Sequence, residues 1–214
     1  MNRFKILAVA TLSSVFAFLV PAAQAQLKPG TDYSELKAVQ QVEVPGKIEV
    51  IEFFWYGCPH CYSLEPALEP WAKKLPPDVN FRRIPAVLSD AWAVHARMFY
   101  AFEALGVLDT VHKPFFEALH KDRLNVASEP AMNEWLKKNH IDRKKFDDAV
   151  KSFGVQAKVK RAAQLSAAFQ LDGVPMLAVQ GKFTISAEQG GTQNGMLTTT
   201  DQVIDLARKG LGKK

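Results

Sequence analysis

The chain has few cysteines: two in 214 residues, Cys58 and Cys61. With no others to pair, it cannot be a small fold stapled by a network of disulfides. It also lacks the second Cys-x-x-Cys that a closed zinc site usually needs, and His95, His112, His120 and His140 show no ligand-like spacing against the first. Nothing after residue 26 approaches the length of a membrane span. No internal repeat or low-complexity stretch appears, and neither sign of charge dominates, with 27 Lys and Arg against 22 Asp and Glu. Nucleic-acid binding is therefore not expected, and the basic end from Arg208 to Lys214 reads as a solvated tail.

The N-terminus has the form of an export signal. Arg3 and Lys5 precede an apolar run, Ile6 to Val20, and Ala23-Gln24-Ala25 offers a small-x-small cleavage site. The expectation is cleavage after Ala25; an uncleaved signal anchor is the alternative. No Cys follows the run, which argues against a lipid anchor. Losing Arg3 and Lys5 lowers the formal net charge of +5 by two, leaving a mildly basic chain. Export carries a protein to a compartment where disulfides persist.

The centre of the sequence is Ile51-Glu52-Phe53-Phe54-Trp55-Tyr56-Gly57-Cys58-Pro59-His60-Cys61. A buried strand is expected from Lys47 to Trp55, a turn at Tyr56-Gly57, and a helix from Cys58 to about Lys74. Both cysteines then lie in the first helical turn. Unpaired N–H groups and the positive end of the macrodipole favour an anion there, so a Cys58 thiolate is stabilised. Cys61 shares that face, within bridging reach. Pro59 costs little, because its missing N–H would have been unpaired anyway. His60 adds a second stabiliser of the thiolate. Each pKa unit by which Cys58 falls below ambient pH favours the dithiol by about 1.4 kcal/mol, or roughly 30 mV on a two-electron couple.

Three explanations of the pair stand. A structural bridge over two intervening residues removes little chain entropy. Half of a zinc site lacks its other ligands. A redox-active pair suits the helix position, and one exported pair so placed suits a protein that handles other proteins' disulfides.

Glu-Phe-Phe followed by Cys-Pro-His-Cys resembles the DsbA family of periplasmic thiol:disulfide oxidoreductases, within the thioredoxin superfamily, and the resemblance covers nearly all of the chain after the signal. It implies a low Cys58 pKa, an oxidising potential, and no cofactor or metal.

The pattern along the chain fits that fold. Residues 26–47 are turn-rich, with a possible edge strand from Val39 to Val44. The active-site helix carries Pro66 and Pro70, which predict a kink or break. A strand from Asp78 to Pro85 completes a β-α-β unit. From Ser89 to about Ala162 the periodicity is helical. Helices are expected at Ser89 to Gly106, Leu108 to His120, from Ser128, from Asp142, and from Val155 to Gln170. Strands from Val174 to Val179 and Phe183 to Ser186 follow, then a loop at Gly190-Gly191 and a final helix capped by Thr200-Asp201. The class is α/β: a thioredoxin fold with an inserted all-helical domain. The expected division is signal peptide 1–25, thioredoxin-like part 26–87, helical insert 88–162, and thioredoxin-like part 163–214.

The resemblance assigns further site residues. Pro175 matches the cis-proline that faces the disulfide in this superfamily, leaving Val174 to pair with an extended substrate; the plain alternative is a strand-start proline. Glu52 matches a buried charged residue beneath the cysteines, a proton acceptor for Cys61, or else is a strand-edge carboxylate. Glu65 and Arg83 match a nearby Glu and Lys. Arg in place of Lys leaves charge compensation but puts a proton relay in doubt. His60 matches the residue that tunes the potential, or else is an exposed helix-surface His. The other four His residues read as surface or satisfied structural groups.

The implied reaction is disulfide donation. A substrate thiolate attacks an exposed Cys58, a mixed disulfide forms, and Cys61 closes the pair again on reoxidation. Implied partners are unfolded secreted proteins and an inner-membrane, quinone-linked reoxidant of the DsbB type. The short 26–47 segment leaves no room for a dimerisation domain, so a monomer is expected. An isomerase or reductase using the same motif, a chaperone-like binding module and a metal binder are the alternatives.

Overall fold

The computed structural model describes residues 27–211; the expected signal peptide and its cleavage point lie outside them. Among the described residues, β1 (Ser34–Glu35), β2 (Ile48–Phe54), β3 (Val79–Pro85), β4 (Met176–Val179) and β5 (Phe183–Ser186) form one sheet. Its order is β1-β5-β4-β2-β3. The apolar run at Ile48–Phe54 is the central strand, and all of it is buried. It pairs parallel with β3 and antiparallel with β4. A parallel pair needs a crossover. Helix α1 (Pro59–Ala72) supplies it.

Alternation along β2 feeds two cores. Val50 joins Leu64 and Leu68 of α1 with Val203 and Ile204 of the last helix. Ile51 and Phe53 join the side chains of the insert. That insert is α2 (Asp90–Ala104), α3 (Leu108–His120), α4 (Glu129–Lys138), α5 (Arg143–Lys151) and α6 (Phe153–Ala168), all between β3 and β4. Ser128, Asp142 and Ser152 cap α4, α5 and α6 through their side chains. Phe169, just past α6, packs on Phe53 with ring centroids 4.9 Å apart. The architecture is the thioredoxin fold with an inserted helical domain.

Four local expectations are corrected. The edge strand is Ser34–Glu35 against β5, not Val39 to Val44. The later segment is held instead by single bonds, such as Gln40 N–H to Gly181 O at 2.7 Å. Gly181 sits at φ +61°, and a Cβ there would lie 2.1 Å from Gln40 O, so the turn requires glycine. Helix α1 runs unbroken through Pro66 and Pro70, because burial of Leu64 and Leu68 on the sheet outweighs the lost backbone bonds. Gly190, expected in a loop with Gly191, instead ends a short helix α7 (Ala187–Gly190) closed by a Ser186–Gln189 capping box. The last helix, α8 (Gln193–Leu211), starts well before Thr200. Thr200 is fully buried inside it and bonds back to Met196 O at 2.8 Å, which satisfies the hydroxyl without a cap. Among the described residues, no helix is long and apolar enough to cross a membrane.

Candidate active site

The strand-turn-helix from β2 into α1 places the redox motif. Cys58 is the N-cap of α1, extended at φ −86° and ψ 118°, and Pro59 takes the first helical position. Both cysteines are unbridged thiols in this structure. The Cys58 Sγ accepts the Cys61 N–H at 3.4 Å. As a thiol it also donates to Val174 O at 3.3 Å, across the gap between α1 and the start of β4.

The two sulfurs differ sharply. A hydrogen bond from the Cys61 thiol is the largest influence on Cys58; with the Cys61 and His60 backbone N–H groups and the His60 charge, it lowers the Cys58 pKa to about 6 against the pull of burial. Cys61 goes the other way, well above an ordinary thiol, first through burial and then because its proton serves Cys58. The His60 charge is thus a minor influence, the side chain being exposed. Cys58 itself is more enclosed than the sequence suggested: 7% exposed, against 0% for Cys61.

Beside the motif lies a groove of ≈ 660 Å³ lined by His60, Leu64, Val174, Pro175, Met176 and Met196. The Val174–Pro175 peptide is cis, and β4 begins only at Met176.

Beneath α1 lies a charged network. Arg83 Nε donates to Glu52 Oε2 at 2.9 Å and its Nη2 to Glu65 Oε2 at 3.2 Å. Burial, followed by the Glu65 charge, raises Glu52 to about 8 in spite of Arg83. Burial also acts to raise Glu65, but the His112 hydrogen bond and the Arg83 charge outweigh it, and its pKa falls. His112 Nε2 lies 3.3 Å from Glu65 Oε1 and its Nδ1 lies 2.7 Å from the Tyr56 hydroxyl. Burial lowers the His112 pKa. The neutral ring therefore donates from Nε2 to Glu65 and accepts the Tyr56 O–H at Nδ1.

The structure thus gathers Cys58, Cys61, Pro59, His60, Val174 and Pro175 at the mouth, and Glu52, Glu65 and Arg83 below. Sequence reasoning passed over Tyr56, His112, His120 and the buried Glu49. A faint signal for the two histidines existed, since His112, Phe116 and His120 share one helical face. Nothing local said what that face covers. Among the described residues, no three His, Cys, Asp or Glu side chains cluster to hold a metal ion.

A thioredoxin fold presenting one activated and one buried thiol at a helix N-terminus defines a class, the thiol:disulfide oxidoreductases. Comparison with known proteins narrows it. Residues 86–194 match the model of the DSBA-like thioredoxin domain. The thiol:disulfide interchange protein DsbA of Azotobacter vinelandii is 39% identical over 97% of this chain and 99% of its own length. That of Burkholderia cepacia is 39% identical over 96% of each. The crystal structure of Pseudomonas aeruginosa DsbA superposes with a TM-score of 0.82 at 39% identity, covering 88% of this chain and 97% of that one. The chain belongs to the DsbA family of thiol:disulfide interchange proteins.

Proposed function

We propose that this oxidoreductase works as a disulfide donor to unfolded secreted proteins in the periplasm, exported by a signal cleaved after Ala25. The observation that carries the direction is the asymmetry of the pair, with Cys58 lowered to about 6 and Cys61 raised. A stabilised Cys58 thiolate favours the dithiol product, so the disulfide tends to pass to a substrate.

A substrate thiolate attacks Cys58 Sγ, and the Cys58–Cys61 bond breaks. The Cys61 sulfur leaves with the electron pair and takes a proton. Glu52, near-neutral at about 8, is suited to give that proton and to recover it when Cys61 attacks in the reverse direction. A second substrate thiolate then attacks the substrate sulfur of the mixed disulfide. It releases Cys58 as a thiolate, and a low leaving-group pKa speeds this step. Two electrons from the substrate end on the dithiol. Arg83 compensates charge, since a guanidinium does not give up its proton. The groove beside Val174 and Pro175 holds the substrate backbone, and in the disulfide form Cys58 has no proton to donate, so Val174 O is open to it. Reoxidation falls to a quinone-linked membrane partner of the DsbB type, and the protein acts as a monomer.

The test is the reduction potential, from equilibration with glutathione buffers and read by tryptophan fluorescence, because Trp55 lies three residues before Cys58. A potential well above the glutathione couple is expected. A value near or below that of thioredoxin makes the protein a reductant and overturns the direction.

A further inference from the structure

One face of α3 grips the entrance to the redox motif along its whole length. His112, Phe116 and His120 stand one turn apart on that face. His112 Nδ1 accepts the Tyr56 hydroxyl at 2.7 Å. The Phe116 ring meets the Tyr56 ring edge-on, with centroids 4.8 Å apart. His120 Nε2 donates to Tyr56 O at 2.8 Å. Tyr56 is thus fixed from its hydroxyl to its carbonyl, and its side chain is fully buried. His120 also stacks on Tyr62, at 4.8 Å and 2° between planes. The stripe therefore spans the motif, holding the residue two before Cys58 and the residue after Cys61. At the same time His112 binds Glu65, the last member of the buried charge network, at 3.3 Å.

The geometry points to His112 and His120 as positioning residues for the redox pair: through Tyr56 and Glu65, the inserted helical domain sets the reduction potential of Cys58 and Cys61. The inference rests on the disulfide exchange proposed above. Its physical route is short. The thiolate is held by the Cys61 thiol and by N–H groups of the first helical turn. Those groups face the sulfur only while the turn from Tyr56 to Cys58 is fixed. Cys58 N–H already bonds to Trp55 O at 2.9 Å, which leaves the Tyr56 carbonyl to an outside donor. His120 is that donor. An insert that only shielded the groove would need no such bonds.

The decisive variants are His120→Leu, which removes the donor, and His120→Gln, whose amide keeps one. His112→Phe keeps the ring and removes both polar contacts. Tyr56→Phe, the mildest, removes only the hydroxyl. Phe146→Leu serves as a control, since it loosens the insert at α5 with no contact to Tyr56. Each protein is assayed for its equilibrium with glutathione, its thiolate titration and its thermal midpoint. His120→Leu and His112→Phe are expected to raise the Cys58 pKa and move the equilibrium about three- to tenfold toward the disulfide, tenfold being about 30 mV. His120→Gln is expected to restore most of the shift. Phe146→Leu lowers the thermal midpoint and leaves the equilibrium unchanged.

Equilibria that stay at the wild-type value while midpoints fall, as in the control, overturn the inference. So does His120→Gln behaving as His120→Leu. If either larger variant fails to fold, Tyr56→Phe decides the matter: it removes the 2.7 Å bond to His112, a shift of the equilibrium toward the disulfide supports the inference, and an equilibrium at the wild-type value overturns it. A wild-type protein that equilibrates normally, with variants that match it, sinks this inference alone. A wild-type potential near that of thioredoxin sinks the proposed direction and leaves the positioning comparison standing.

Discussion

Two carboxylates on β2 invite comparison. Glu49 and Glu52 are both buried, both grip an arginine of β3, and each leaves its Oε1 without a hydrogen-bond partner among the described residues. Three residues apart on a strand, they point to opposite faces of the sheet. Glu49 takes Arg82 Nε at 3.0 Å and the Glu43 N–H at 3.0 Å. Arg82 then reaches the exposed Glu43 carboxylate at 3.2 Å, so the charges run outward to solvent. Glu52 takes Arg83, but Arg83 is shared with Glu65, itself buried and bound to His112. Two buried carboxylates thus share one guanidinium. Charge balance favours holding one proton, and Glu52 at about 8 is the group that holds it. Burial of a glutamate beside an arginine is therefore no sign of function. What distinguishes the site under α1 is that its second carboxylate is buried too.

The largest test of that distinction is to remove each arginine. Arg83→Met leaves Glu52 and Glu65 without a cation, and breaking a buried pair this way costs about 3–5 kcal/mol. Arg82→Met leaves one carboxylate, still bonded to the Glu43 N–H, and a loss of roughly half that size is expected on the same scale. Urea unfolding of the two variants measures both. Equal losses would erase the difference between the two sites.

Next in size is the kinetic effect of neutralising each carboxylate. Glu52→Gln keeps the shape and most of the hydrogen bonding but cannot take up a proton. Closure of the disulfide by Cys61 is expected to slow by at least about tenfold, below the 10²–10⁴ typical of a positioned acid–base group because water substitutes in part. Glu49→Gln, on the far face of the sheet, is expected to leave closure unchanged. Rapid mixing with an oxidant, followed by tryptophan fluorescence, gives both rates. A slowdown with Glu49→Gln, or none with Glu52→Gln, removes the proton role from Glu52.

The sequence alone carried the frame and missed this distinction, for a physical reason. The strand Ile48–Phe54, the helix that begins at Pro59 and the helical run between β3 and β4 are all legible, because apolar periodicity and caps are local signals. Cys58 and Cys61 announce themselves by residue type and spacing, and Pro175 was placed by resemblance. Glu52 was found only because a resemblance pointed to it. Glu49 lies in the same run and shows nothing to separate it, since the partners that give each its character come from β3, from residue 43 and from α1. His112 and His120 are worse placed for sequence reasoning, lying about fifty residues past the motif in an insert whose docking no local pattern specifies. Thr200 misled as a cap because its hydroxyl satisfies itself inside α8.

The smallest effect is the dependence of stability on pH, and it separates the proton at Glu52 from the charge at Cys58 by sign. Glu52 is raised from an ordinary 4.5 to about 8 in the fold, so over that window the native state binds a proton that the unfolded state has lost. Its contribution is fully present below pH 4.5 and disappears as pH rises through about 8, with a slope of at most about 1.4 kcal/mol per pH unit. Cys58 in the dithiol form is lowered from 9.0 to about 6, and acts oppositely. Its contribution is absent at low pH, grows above about 6 and is complete above 9.0. Between these limits the two slopes oppose each other in the reduced protein and mask one another. Subtraction separates them. Wild type minus Glu52→Gln, both oxidised, is expected to lose stability steadily from about pH 5 to about pH 8. Reduced minus oxidised wild type is expected to gain stability from about pH 6 upward. Urea midpoints at unit steps of pH supply both differences. A flat first difference places the held proton on a group other than Glu52, and the contrast with Glu49 then rests on the arginines alone.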